Sequence, residues 1–154
     1  MVLVVMARPV PPTLPGVCRN MEATLSKTDV QAVLEALGRG ITESDPDGIA
    51  ACFGLPAMFV GEEGALVLNN EDELKGLFAQ GRKFYEGRGL VGTRPDIEKI
   101  EPLSSQIFEV TVRWPGYDSS AIERWSERSR YVLRQDETGK HRICVAVTLG
   151  GGPV

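Results

Sequence analysis

The second half of the chain changes its hydrophobic period. From Leu90 onward apolar residues recur at every second position, most clearly at Phe108, Val110, Val112 and Trp114. A period of two puts alternate side chains on opposite faces of a strand. Pro115-Gly116 and Asp136-Glu-Thr-Gly139 interrupt the pattern with turn residues, the glycine of the latter placed for a positive φ. Four strands follow: Ile97 to Leu103, Gln106 to Trp114, Ile122 to Arg134 and His141 to Leu149. Connections this short make neighbouring strands antiparallel, so the C-terminal half is a meandering sheet needing cover on one face.

The residues before it supply that cover. Thr28-Asp-Val-Gln31 has the form of a capping box, and Val30, Val33, Leu34, Leu37 and Ile41 follow at helical spacing, so a helix is expected from about Asp29 to Thr42. Gly38 and Gly40 weaken its end unless they admit a close neighbour. Asp45-Pro46 restarts a helix to Phe53, which Gly54 and Pro56 stop. AMFV and ALVL, joined by GEEG, read as a hairpin. Asn69 or Asn70 then caps a third helix with Leu74, Leu77, Phe78, Phe84 and Tyr85 on its apolar side, ended by Gly87 and Gly89. The glycine-rich GRGLVGTRP after it matches no phosphate-binding loop and reads as a flexible lip.

A chain of 154 residues is one domain by length. It buries roughly 68–70% of its unfolded surface, enough for a core without metal or disulfides. The net charge of −4 gives no general attraction to nucleic acid or to an anionic membrane. Cys18, Cys52 and Cys144 are an odd number at wide spacing, which suits a reducing, cytoplasmic setting. Cys52 and Cys144 sit in apolar contexts and read as inert thiols. With His141 the only histidine and no CxxC pair, no metal site and no cofactor is expected. Residues 1–25, proline-rich after residue 8, read as a disordered extension or as the product of an upstream start, with Met21 the alternative first residue. The domain is expected over 26–150, with a tail at 151–154.

The stretch AIERWSERSRYVLRQ carries the chemistry. One parity holds Arg124, Arg128, Arg130 and Arg134; the other holds Trp125, Glu127, Ser129, Tyr131 and Leu133. A carboxylate among large apolar side chains has a raised pKa and serves as an acid or base near neutral pH. The structural alternative is a cross-strand ion pair of Glu127 with Arg113. Tyr131 and Tyr85 projecting into one cavity would hold a ligand carbonyl. The arginine parity suits the outer face of the sheet, where acidic residues of a second copy, Glu101 or Glu109, would answer it.

TESDPDGIAACFGLPAMFV, NNEDELKGLFAQGRKFYEG and RYVLRQDETGKHRICVAV together resemble the NTF2-like superfamily, which includes SnoaL-like polyketide cyclases and ketosteroid isomerases. The resemblance covers about Thr28 to Leu149. It implies an α+β cone: three N-terminal helices packed on a curved, four- to six-stranded, mainly antiparallel sheet, dimerising through its sheet face. The general-base Asp of ketosteroid isomerases falls at Gly61 here, their oxyanion tyrosine near Leu37 and their protonated Asp at Tyr131, so that activity is not expected. The His/Asp arrangement of the cyclases has only His141 to draw on. The expected function is binding of a small apolar molecule in the cone by Leu34, Leu37, Phe53, Phe59, Phe78, Tyr85 and Trp125. If it is catalytic, Glu127 is the proton-transfer group and Tyr131 the orienting donor, in isomerase or lyase chemistry. The rival is a non-catalytic homodimeric module whose cavity its own side chains fill.

Overall fold

The computed structural model describes residues 16–154, without the side chains of residues 16–20, 22 and 23. Of the extension expected over residues 1–25, residues 1–15 lie outside the description, as does the Cys18 thiol, and Gly16 to Leu25 are helical. Three helices, α1 (Gly16–Glu43), α2 (Pro46–Ala50) and α3 (Glu71–Gly87), pack on a sheet of seven strands. These are β1 (Phe53–Gly61), β2 (Gly64–Leu68), β3 (Gly92–Thr93), β4 (Asp96–Pro102), β5 (Ile107–Tyr117), β6 (Glu123–Gln135) and β7 (His141–Pro153).

Helix α1 begins well before Asp29. Inside it Thr28 caps nothing: its hydroxyl donates to the carbonyl of Thr24 at 3.0 Å, while the Gln31 amide donates to Glu35 Oε1 at 3.1 Å. Its C-terminus turns through Ser44, a left-handed residue (φ 57°), and the Asp45 N–H closes on the Gly40 carbonyl at 2.9 Å. Asp45 then caps α2 by accepting from the Gly48 N–H at 3.0 Å. Gly40 is small because α2 leans on it: a Cβ there would lie 2.8 Å from Ile49 Cγ1. Asn70 caps α3, accepting from the Glu73 N–H at 3.0 Å, and Glu73 accepts from the Asn69 N–H at 2.7 Å. That reciprocal pair satisfies two N–H groups at the helix start.

The strand order is β2-β1-β7-β6-β5-β3, with β4 also on β5. The expected antiparallel meander is present as β4-β5-β6-β7. The expectation of at most six strands, which already included the β1–β2 hairpin, is exceeded by β3 alone. The β1–β2 hairpin joins β7 in parallel, Phe59 beside Ala146, which makes the sheet mixed. The supposed lip is also partly strand: Gly92 and Thr93 pair with Tyr117 and Gly116, and Leu90 is buried. The supposed tail pairs too, with Gly151 opposite Glu127 and Pro153 opposite Trp125. Val30, Leu34 and Leu37 of α1 form one core with Val110, Val112, Leu133 and Ile143 on the inner sheet face.

Helix α1 is tied to β7 by one polar contact. Asp29 Oδ2 accepts from His141 Nδ1 at 2.6 Å and from the His141 backbone N–H at 3.1 Å. The imidazole is buried edge-on against Phe108, and its Nε2 has no hydrogen-bond partner among the described residues. No helix among the described residues is long and apolar enough to cross a membrane.

Candidate functional site

The inner face of the sheet has two unlike ends. Near β1 and the start of α3 it is closed by aromatic packing. Phe53 lies 5.5 Å from Phe59 and 5.7 Å from Phe78, ring centre to ring centre. Leu34 and Leu37 are fully enclosed in the same core. The three phenyl rings are mutual packing partners there, while Leu34 and Leu37 belong to the core that runs the length of the sheet.

The other end is polar. Trp114 Nε1–H donates to the Tyr131 hydroxyl at 2.9 Å. The Ser129 hydroxyl, the next inward-facing group on β6, donates to Glu127 Oε1 at 3.4 Å, a long contact. With Trp114 donating to it, the Tyr131 hydroxyl is left to donate onward. Tyr85 enters from α3, hydrogen-bonded to Thr93, and is close enough to feel the charge of Glu127. Thr93 itself donates to the Pro115 carbonyl at 2.8 Å. The structure thus brings Tyr85, Trp125, Glu127 and Tyr131 to one end of the cone and leaves the other five expected residues elsewhere.

Burial sets the electrostatics of this end. It raises the Glu127 carboxyl above the usual carboxylate range, against the opposing effect of the Ser129 hydroxyl. It also raises the Tyr85 and Tyr131 hydroxyls. No basic side chain among the described residues pairs with Glu127. The cross-strand partner considered for it, Arg113, is held by Asp96 at 3.0 Å and by Glu123. Three of the four outer arginines are likewise answered within the chain: Arg124 by Asp118 at 2.8 Å, Arg128 by Glu98 at 2.8 Å and Arg130 by Glu109 at 3.3 Å. Cys52 and Cys144 bond backbone carbonyls, and burial pushes the Cys52 thiol up to about 11. Among the described residues no three His, Cys, Asp or Glu side chains converge as a metal site needs.

Two open clefts flank the cone. One, of about 430 Å³, lies between Thr42, Arg94, Tyr117 and Ser119. The other, of about 530 Å³, is lined by Arg88, Leu90, Arg124, Trp125 and Pro153. Trp125 is the only expected site residue that lines either. Arg88 was not singled out by its sequence context, because it sits between the helix-stopping Gly87 and Gly89. Its guanidinium lies 3.6 Å over the Phe84 ring and 4.8 Å from that of Trp125.

The last residues of β7 roof this end. Gly150 has a φ of +102°, open to glycine and strained for other residues. A Cβ at Gly151 would lie 2.9 Å from the Ser126 carbonyl and 3.1 Å from Trp125 Nε1, an indole nitrogen that is buried without a partner. Gly151→Ala is expected to cost about 1–3 kcal/mol in urea unfolding and to shift tryptophan emission. Gly152→Ala, with open space around it, should stay within about 0.5 kcal/mol of the parent.

Comparisons with solved structures place this architecture. An NTF2-like protein with a cystatin-like fold from Novosphingobium aromaticivorans superposes with a TM-score of 0.68 at 8% identity, covering 90% of each chain. A putative scytalone dehydratase from the same species superposes at 0.63 with 12% identity, covering 88% of this chain and 91% of that one. A ketosteroid isomerase-like protein from Erwinia carotovora atroseptica gives 0.58 at 14% identity, over 85% and 98%. At such identities the likeness is one of fold alone. No curated protein sequence matches the chain. Residues 27–150 match the family described as NTF2-like protein (DUF6841), and the chain belongs to that family.

Proposed function

We propose that the chain binds a small, mainly apolar molecule at the polar end of its cone, and that Glu127 transfers a proton to or from it. The reaction class is isomerisation or elimination without a cofactor. One observation carries this reading: Glu127 is a half-buried carboxylate with no basic partner among the described residues, bonded to Ser129 and set near the Tyr85 and Tyr131 hydroxyls. Keeping an unpaired carboxylate out of water costs stability, and such costs concentrate at working sites. In this arrangement Glu127 is the proton-transfer group. Tyr131 is a positioning residue whose hydroxyl is set near it.

A second reading is favoured by the aromatic end and the outer face. Phe53, Phe59 and Phe78 fill the space they enclose, as a non-catalytic module would require. On the outer face Val67, Met58, Val145 and Val132 stand in register across four strands, with Met58 40% and Val67 47% exposed. A homodimer through the sheet would bury this apolar row, beside which Arg130 is already paired with Glu109.

Native mass spectrometry of the purified protein, followed by denaturing extraction, separates the two. The expected result is a retained small molecule, with Glu127→Gln keeping the ligand and losing turnover of it by about 100-fold or more. A ligand-free dimer that no apolar metabolite stabilises thermally would overturn the pocket in favour of the interaction module.

A further inference from the structure

The cleft of about 530 Å³ beside Trp125 has a chemistry of its own. Leu90, Trp125 and Pro153 give it an apolar wall, and Arg88 and Arg124 stand on its rim. The two arginines differ. Arg124 Nε is committed to Asp118 at 2.8 Å. Arg88 has no carboxylate partner among the described residues. Its guanidinium is held by aromatic faces, over Phe84 at 3.6 Å and near Trp125 at 4.8 Å, and those two rings meet edge to face at 5.2 Å. A guanidinium held over a ring face spends none of its N–H donors on a carboxylate of the chain. Its planar fork matches the two oxygens of a carboxylate and lowers the ordering cost of binding one.

We propose that this cleft is the mouth of the ligand site and receives the carboxylate of an amphipathic acid, whose flat apolar body lies along Leu90, Trp125 and Pro153. This rests on the reading of the cone end as a small-molecule pocket and names the ligand's class: an organic monocarboxylate in place of a purely apolar molecule. The polarity suits the interior as well. The carboxylate stays at the basic rim, and the uncharged end points towards Glu127, whose strand neighbour Trp125 separates the two. An anion driven inward would meet Glu127 and be repelled.

The test is tryptophan-fluorescence titration with 2-naphthoate and its neutral isostere 2-naphthamide. Wild type should bind the acid about tenfold more tightly than the amide, the difference a charge-assisted bidentate contact supplies. Arg88→Gln should erase that preference while leaving amide binding intact, which also reports that the variant is folded. Arg94→Gln, at an arginine set 5.2 Å over Tyr117 beside the other cleft, should keep it. Equal affinity of wild type for the two probes overturns the carboxylate site and leaves the pocket standing. So does a preference that survives Arg88→Gln or is lost equally in Arg94→Gln. Failure of both probes to bind overturns the pocket together with it.

Discussion

Asp29→Ala is expected to destabilise the fold by roughly 2–4 kcal/mol, because it strips two buried donors of their acceptor at once. The Asp29 side chain is itself 44% exposed, so little of this is Coulomb attraction. The cost arises on the other partner. His141 is 3% exposed, and both its backbone N–H and Nδ1 meet one oxygen of Asp29. Both donors sit on a residue turned away from solvent, and Nε2 already lacks a partner among the described residues. Asn retains an oxygen at the same place, so Asp29→Asn should recover at least half of the loss. His141→Leu removes the ring donor, so the double variant Asp29→Ala/His141→Leu should be less destabilised than the two single effects summed. The contact spans 112 residues and joins the first helix to the last strand, so its loss should appear in global urea unfolding. A change below about 0.5 kcal/mol for Asp29→Ala would show that the pair contributes nothing to stability.

That pair also marks where sequence reading stops. Asp29 was legible only as part of a cap, and His141 only as a lone histidine beside a turn. Their meeting depends on how α1 crosses β7, which periodicity does not encode. Periodicity encodes faces, and the faces came out well. Phe108, Val110, Val112 and Trp114 are all buried on one parity of β5, and Glu127, Ser129 and Tyr131 share the inner parity of β6. Local caps were equally legible at Asp45 and Asn70, because each needs only a side chain within three residues of its N–H partner. Thr28 failed as a cap because the residues before it are helical too, which lets its hydroxyl bond back to Thr24. Neighbour identity was hidden throughout. The parallel pairing of β1 with β7 leaves no trace in either strand's alternation, and Gly151 to Pro153 pair although their own strand propensity is poor. The expected pocket was one list of residues on one face. The fold divides that face into an aromatic end and a polar end, because Phe53 and Phe59 come from β1, which the parallel pairing carries away from Glu127.

Glu127→Gln should stabilise the protein at neutral pH, and the gain should disappear in acid. The sign follows from burial. Glu127 has its carboxyl raised in the folded state above the ordinary value of 4.5. A group shifted upward binds its proton more tightly when folded. Its contribution to stability is therefore full below the unfolded value and is lost as pH rises through the folded one. At about pH 4 the acid is largely protonated in both states and resembles the amide, so wild type and Glu127→Gln should unfold at closely similar urea concentrations. At about pH 8 the wild type carries a half-buried charge with only Ser129 to solvate it, and the variant should be the more stable by on the order of 1 kcal/mol. Glu127→Leu should extend the gain at neutral pH, limited by the Ser129 hydroxyl it leaves without an acceptor. The opposite result, a variant less stable than wild type at neutral pH, would mean that Glu127 is held by a stabilising partner and that its burial records structure and not function. Stabilisation with loss of turnover would be the signature of a carboxylate kept against the interests of the fold, since the charge that weakens packing between β6 and β7 would be the one the reaction needs.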